Sequence, residues 1–160
     1  WFHVLQLIPG LAWVPVALLL FGIGSSGTIF MVAIVGLAPI ALAVNGGVRS
    51  VSSLQVESAR IFGASGWSLA KTVLIPASIP IIIQGLRAGL GNSWRVLIAA
   101  EMIVGTGVGL GYVILQSRWS LKFAESFAII AVIAIIGLTF EKLVLTNLEI
   151  AWLKRTGVKS

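Results

Sequence analysis

The sequence predicts an all-α membrane protein: a polytopic helical bundle with about four transmembrane helices and one structured cytoplasmic loop. Of its 160 residues, 58% are hydrophobic and only 10% are charged, and the mean hydropathy is +1.07. A soluble domain carries about 25% charged residues, and a chain of this size could not bury so much apolar surface. The eleven lysines and arginines fall mostly in two short stretches between apolar runs, a distribution typical of loops that orient membrane helices.

The composition also excludes several classes of function. The chain has no cysteine, one histidine and no aspartate. A disulfide framework, a thiolate zinc site and most catalytic constellations therefore lack their residues, and we expect no catalytic residue, no metal and no cofactor. The net charge of +6 does not indicate a nucleic-acid partner, because the cations lie in loops beside apolar runs.

Four apolar stretches are candidate spans, since about 20 residues cross the hydrocarbon core of a bilayer. The first two contain no charged residue and are separated by the polar turn Gly24 to Gly27. Prolines interrupt them at Pro9, Pro15 and Pro39, which neighbouring helices would have to accommodate. Because the chain enters apolar sequence directly from Trp1, we expect further segments N-terminal to it. The predicted spans are Val4 to Ile23, Thr28 to Val48, Ile81 to Val104 and about Phe123 to Leu145.

The loops predict the orientation of these spans, because lysine and arginine are retained on the cytoplasmic side during insertion. The cations concerned are Arg49, Arg60 and Lys71 after the second span, and Lys142, Lys154, Arg155 and Lys159 after the last span. Both segments are therefore expected inside the cell. The turn Gly24 to Gly27 and the segment Gly105 to Glu125 are expected outside, so both ends of the chain are predicted to be cytoplasmic.

The loop between the second and third predicted spans, at about residues 49–76, has helix signals. Ser52 and Gln55 have the spacing of a capping box, and Gly63 suits the end of a helix. The predicted helices cover roughly Ser53 to Phe62 and Trp67 to Leu74, the second stopped by Pro76. From these residues alone, the two amphipathic helices either form a docking surface for a partner or lie on lipid headgroups.

The same loop carries a spaced pattern that resembles the EAA loop of ABC importer permeases. In that family Glu-Ala-Ala is followed by three residues, Gly, nine residues, Ile, any residue, Leu and Pro. Both internal spacings match here, with Ser58 at the second position, Val73 in place of Ile and Ile75 in place of Leu. By this resemblance the residues that couple the permease to its ATPase are Glu57, Ser58, Ala59, Gly63, Val73, Ile75 and Pro76.

Further motifs look like those of the permeases for nitrate, sulfonate, taurine and bicarbonate, over nearly the whole chain. They are Leu11 to Pro15, Phe21 to Gly24, Gly85 to Gly91, Ala99 to Met102 and Gly109 to Tyr112. Thiamine-precursor permeases share much of this pattern, so that substrate stays open as an alternative. The resemblance implies that residues 1–160 are a transmembrane domain of the type I importer kind, incomplete at its N-terminus, in a prokaryotic inner membrane.

The resemblance also implies partners and an energy source. In such importers two permease subunits form the pathway, two cytoplasmic ATPases bind their loops, and an extracytoplasmic solute-binding protein delivers the substrate. We expect the two permeases to be identical. This chain has no Gly-x-x-x-x-Gly-Lys-Ser/Thr phosphate loop, so ATP hydrolysis is expected in the partner and no enzyme activity is expected here. A channel or secondary transporter is the alternative, but it does not explain the EAA spacing.

The third predicted span contains three charged residues, Arg87, Arg95 and Glu101. Intramembrane charge is costly unless it is paired or hydrated, so these residues are candidates for lining the pathway or a helix interface. Arginines beside a pathway would suit an anionic substrate; alternatively, the three residues reach headgroups or form structural pairs. At about 100° per residue, one face of the helix carries Arg87, Gly91, Trp94, Ile98 and Glu101, and the other carries the small residues Gly85, Gly89, Asn92 and Ala99, which would allow a close helix contact.

Overall fold

The computed structural model describes residues 2–147, apart from the side chains of residues 144–146. The described elements are α1 (Phe2–Leu7), a 3₁₀ turn (Gly10–Trp13), α2 (Val14–Phe21), α3 (Ser25–Arg49), α4 (Ser53–Ile61), α5 (Gly66–Leu69), a π-helical segment (Ala70–Leu74), α6 (Ile75–Ile103), α7 (Leu110–Trp119), α8 (Phe123–Phe140) and a second π-helical segment (Glu141–Thr146). Since every described element is helical, the all-α prediction is confirmed. The basic tail predicted to be cytoplasmic, with Lys154, Arg155 and Lys159, lies outside the described residues.

Within the described residues, three helical runs are long and apolar enough to cross a membrane: Ser25–Arg49, Gly66–Ile103 and Phe123–Leu143. They correspond to the second, third and fourth predicted spans. The first predicted span, Val4 to Ile23, is not one helix, because α1 ends at Leu7 and the chain is extended at Pro9, with ψ 138°. Proline has no N–H with which to continue the helix. The apolar run that follows, Gly10–Phe21, is shorter than the three spans.

The close contact between α3 and α6 is made by small residues, as the sequence predicts. A side chain on Gly85 would overlap the Ala43 Cβ, and a Cβ on Gly89 would lie 2.8 Å from the Gly36 carbonyl oxygen. The two backbones therefore approach as closely as glycine allows. Ser93 contributes a hydrogen bond that the sequence did not indicate, its hydroxyl donating to the Val32 carbonyl at 3.1 Å.

Helix α6 continues without interruption from the segment before it, so the prediction of a separate helix over Trp67 to Leu74 that stops at Pro76 is wrong. The helical run extends from Gly66 to Ile103. The Ile75 N–H donates to the Ala70 carbonyl, the i to i−5 bond of a π-helix, and Pro76 falls in the first turn of α6. Proline is tolerated there, so the chain passes it without a break.

The apolar core lies at the end of the bundle where α3 begins and α6 ends. Its buried members are Ala17, Met31, Val96, Ala100 and Val104. The Gly24 N–H donates to the Val104 carbonyl at 2.8 Å, which ties the turn between α2 and α3 to the end of α6. This core fixes the relative positions of α2, α3 and α6 at the end of the bundle that is predicted to face outward.

Helix α8 is not packed into the core of the bundle. No residue of Phe123–Phe140 is buried, although α8 contacts α7 and the Trp94 side chain approaches Gly137. A spanning helix with an apolar surface this exposed is suited to lipid or to other membrane helices.

Candidate functional site

Helix α4 ends in a tight turn at Gly63. This residue has a φ of 87°, in the left-handed region that glycine adopts without steric cost. The Gly63 N–H donates to the Arg60 carbonyl and the Ala64 N–H donates to the Ala59 carbonyl, both at 2.9 Å. These are the two bonds of a Schellman motif, so the predicted helix end at Gly63 is confirmed.

The start of α4 differs from the predicted capping box. Ser52 is the N-cap residue, but its side chain makes no capping hydrogen bond. The Gln55 N–H donates instead to the Ser52 backbone carbonyl, at 3.1 Å. The first turn of α4 is exposed, so water satisfies its remaining N–H groups. The prediction of a capping box is therefore wrong, although the helix begins where the sequence predicts.

Three residues of the EAA-like pattern meet in a groove between α4 and the helix that follows it. Ser58 lies on one side of this groove of about 520 Å³, and Val73 and Pro76 lie on the other. Of the other pattern residues, Ala59 is half-buried, whereas Glu57, Gly63 and Ile75 are exposed. The spacing of the pattern thus corresponds to a turn that brings the π-helical segment and the start of α6 back against α4.

The loop also carries large apolar side chains that are exposed, of which Leu54 borders the groove. The exposed fractions are 71% for Leu54, 84% for Ile61, 90% for Phe62 and 76% for Trp67. We call these four residues the tip surface. Glu57 and Arg60 are also exposed on α4. Apolar side chains clustered among polar ones in this way indicate a surface that binds a partner or a membrane.

The three charged residues of α6 have different bonding partners, although Arg87 and Arg95 line one cavity between α6 and α8. Arg87 Nε lies 3.6 Å from Glu141 Oε1, at the end of α8, with both side chains about half exposed. Both residues line a largely apolar cavity of about 410 Å³ between α6 and α8, together with Leu90, Trp94 and Gly137. Arg87 therefore contributes to a contact between helices.

Arg95 bonds within its own helix. Its Nε donates to the Gly91 carbonyl at 3.0 Å, and its Nη2 donates to Asn92 Oδ1 at 3.1 Å. Arg95 and Asn92 line a second cavity, of about 420 Å³, together with Gln6. The three-residue spacing between Asn92 and Arg95 is a signal that could have revealed their contact.

Glu101 accepts a hydrogen bond from the start of α7. Its Oε2 accepts a hydrogen bond from the Gly111 N–H at 2.9 Å, and its carboxylate lies against Gly109, the N-cap residue, whose φ is 122°. The helix N-terminus has unsatisfied N–H groups and favours a negative charge. No sequence signal identified this contact, because it depends on how the connection between α6 and α7 folds back.

Comparison of the chain with known proteins agrees with this architecture. Residues 1–149 match the family described as the binding-protein-dependent transport system inner membrane component. The chain therefore belongs to this family of ABC transporter permeases. With three helices long and apolar enough to span a membrane among its described residues, it is a multi-pass protein of the plasma membrane.

Several curated relatives are 33–37% identical to the chain over the aligned residues. A putative ABC transporter permease of Methanocaldococcus jannaschii is 37% identical over 140 residues, which are 88% of this chain and 52% of that protein. The taurine transport system permease TauC of Escherichia coli is 37% identical over 134 residues, 84% of this chain and 48% of its own. The nitrate import permease NrtB of Synechocystis is 33% identical over 143 residues, which are 89% of this chain and 52% of that protein. The chain spans about half the length of these relatives.

Proposed function

We propose that this chain is part of the transmembrane subunit of an ATP-driven importer for a small anion or organosulfonate of the nitrate, taurine, sulfonate or bicarbonate class. The observation that carries the proposal is the tip surface of the loop, exposed beside residues of an EAA-like pattern in a member of a permease family. Two of the relatives are a taurine and a nitrate permease, which supports the substrate class.

The tip surface is the site at which a cytoplasmic ATPase docks. Phe62 and Ile61 enter an apolar recess of the ATPase, and the exposed Glu57 carboxylate pairs with a basic group beside it. Fully exposed aromatic and aliphatic side chains are the kind that supply most of the free energy of association once they are buried. ATP hydrolysis takes place in that partner, and the permease is a non-catalytic subunit.

The groove between α4 and the next helix transmits the motion. When the ATPase dimer closes, it displaces α4, and the groove walls that carry Ser58, Val73 and Pro76 pass the displacement to the start of α6. The Schellman turn at Gly63 keeps α4 at a defined angle. A second, identical permease completes the pathway, and an extracytoplasmic binding protein delivers the anion.

Co-purification of the full permease with its ATPase tests the docking site. Phe62→Asp removes an apolar anchor and places a charge at the proposed contact, so we expect ATPase recovery to fall about tenfold or more. Glu57→Ala is expected to reduce ATPase recovery several-fold. Ile23→Asp is the matched control, because Ile23 is 75% exposed but lies in the turn between α2 and α3.

Recovery of the ATPase with Phe62→Asp at the level of the parent protein contradicts the proposed docking site. If the parent itself binds no ATPase, the importer function is wrong and a channel or secondary transporter replaces it. ATP-driven uptake of nitrate, taurine and bicarbonate by proteoliposomes, measured one by one and beside a thiamine precursor, then decides the substrate class.

A further inference from the structure

The cavity beside Arg95 has a wall that is rich in hydrogen-bond donors. It lies between α6 and the N-terminal segment of the chain, with a volume of about 420 Å³. Its lining includes Gln6, Pro9 and Gly10 on one side, Val35 from α3, and Asn92 and Arg95 from α6. None of the described residues that line it carries a carboxylate, and among them Arg95 alone is charged. Arg95 also borders the cavity between α6 and α8, where Glu141 pairs with Arg87.

The donors of this cavity are held in place before any ligand arrives. The bonds from Arg95 to the Gly91 carbonyl and to Asn92 Oδ1 use two of the five guanidinium N–H groups and fix the plane of the others. Because Asn92 Oδ1 accepts from Arg95, the amide nitrogen of Asn92 keeps two N–H donors. Gln6, from α1, adds a further amide to the lining of the cavity.

The position of Arg95 along α6 indicates what its side chain faces. Arg95 lies about two turns before the end of α6 at Ile103, inside a helix long enough to span the membrane. Arginine at such a position faces a water-filled cavity or a protein partner, because contact with lipid is costly. Within the described residues Arg95 hydrogen-bonds only neutral acceptors, whereas Arg87 pairs with Glu141.

We propose that Arg95, Asn92 and Gln6 form a binding subsite for a small oxyanion on the translocation route. This inference rests on the proposed function of anion import. A guanidinium fork with amide donors beside it binds two oxygens of one planar or tetrahedral anion. Nitrate, bicarbonate and the sulfonate group of taurine share this chemistry, so one subsite accepts any of them.

Two substitutions of Asn92 distinguish a role in binding the anion from a role in packing. Asn92→Asp keeps the size of the side chain but replaces two donors with a carboxylate that pairs with Arg95. The pairing retains or raises the thermal stability, while it repels an anion and occupies the guanidinium. Asn92→Leu removes the donors without adding charge. A subsite for anions therefore predicts that Asp lowers transport more than Leu, whereas a packing role predicts the reverse order.

The experiment uses the full permease assembled with its ATPase and binding protein in proteoliposomes. Labelled nitrate, taurine and bicarbonate are offered separately, and the anion that the parent transporter imports is used for every variant. We expect Asn92→Asp to lower the uptake rate about tenfold or more, since a charge-assisted bond is lost and a repulsive charge is gained. Arg95→Lys, which keeps the charge but loses the fork, is expected to lower uptake several-fold. Lys122→Gln, at an exposed side chain before α8, removes a positive charge elsewhere and serves as the control.

The outcomes distinguish this inference from the function on which it rests. Uptake by Asn92→Asp at the parent rate overturns the subsite and leaves anion import intact. If Asn92→Asp does not assemble, Arg95→Lys decides in the same way, and parent-like uptake by that variant overturns the subsite. A larger loss with Asn92→Leu than with Asn92→Asp also overturns it, because the cavity is then a packing site. A parent transporter that imports none of the three anions overturns both the subsite and the proposed function.

Discussion

The contact between Glu101 and the Gly111 N–H shows how one residue positions a whole element. Helix α7 begins at Leu110 after a connection with two glycines of positive φ, Gly107 and Gly109. Such a connection is flexible by itself. The carboxylate from α6 supplies the acceptor that the first turn of α7 otherwise lacks, because no side chain of its own caps it. The sequence predicts Glu101 as a pathway or interface residue but does not identify its partner.

Removing this carboxylate should loosen the start of α7. We expect Glu101→Ala to destabilise the contact by about 1.5–3 kcal/mol, the usual loss for a hydrogen bond to a charged group. Glu101→Gln keeps an acceptor oxygen and should retain much of that energy. Amide hydrogen exchange at Gly111 and nearby residues measures the effect. Glu125→Ala is the control, since Glu125 makes only an exposed pair with Lys122 at 3.8 Å. Equal exchange rates for Glu101→Ala and the parent protein would refute this role.

At the scale of elements, the pairing of α3 with α6 depends on the absence of side chains. Residues Gly36, Gly47, Gly85 and Gly89 leave no room for a Cβ without displacement of a neighbour. The sequence predicts Gly85 and Gly89 as a small face, because their spacing alone places them on one side of a helix. It cannot assign α3 as the partner, since any helix with small residues would fit the same face.

Adding one methyl group at this contact tests it directly. We expect Gly85→Ala to destabilise the protein by about 1–3 kcal/mol, because the new Cβ would overlap that of Ala43 and push α3 away. Gly46→Ala is a matched control on α3, where a Cβ meets nothing within 4 Å and alanine is the better helix former. Thermal unfolding of the full permease in detergent, followed by tryptophan fluorescence, measures both. A melting temperature for Gly85→Ala at or above that of the control would contradict this packing.

At the scale of the molecule, one uninterrupted helical run connects the proposed ATPase-docking loop to the outer end of the bundle. The run Gly66–Ile103 begins beside the tip surface and ends at the core around Val104 and the Glu101 contact. A rigid element of this length transmits displacement over the full thickness of a membrane. The sequence predicts instead a short helix that stops at Pro76, with a short rigid stretch, Ile75-Pro76, that passes the displacement to the next span.

Distance measurements distinguish a rigid connection from a hinge. The chain has no cysteine, so spin labels can be attached at Ser68→Cys and Ile103→Cys, which are both exposed. We expect a separation of about 50 Å from the helical rise, unchanged between ATP-bound and nucleotide-free transporter. Singly labelled protein and dilution with unlabelled permease identify distances between subunits. A shift of several ångströms between the two states would show that the helix bends near its prolines.

The sequence by itself determined the properties that depend on composition and on short spacings. These are the membrane class, the last three spans, the small-residue face of α6 and the end of α4 at Gly63, each of which follows from local chemistry or from one helical period. Only the tertiary structure decided the partners: Glu141 for Arg87, Asn92 and a donor-lined cavity for Arg95, and Gly111 for Glu101. It also decided that the chain breaks at Pro9 but continues through Pro76. The physical reason is that these outcomes depend on contacts between segments and on which backbone groups find acceptors, neither of which a local pattern specifies.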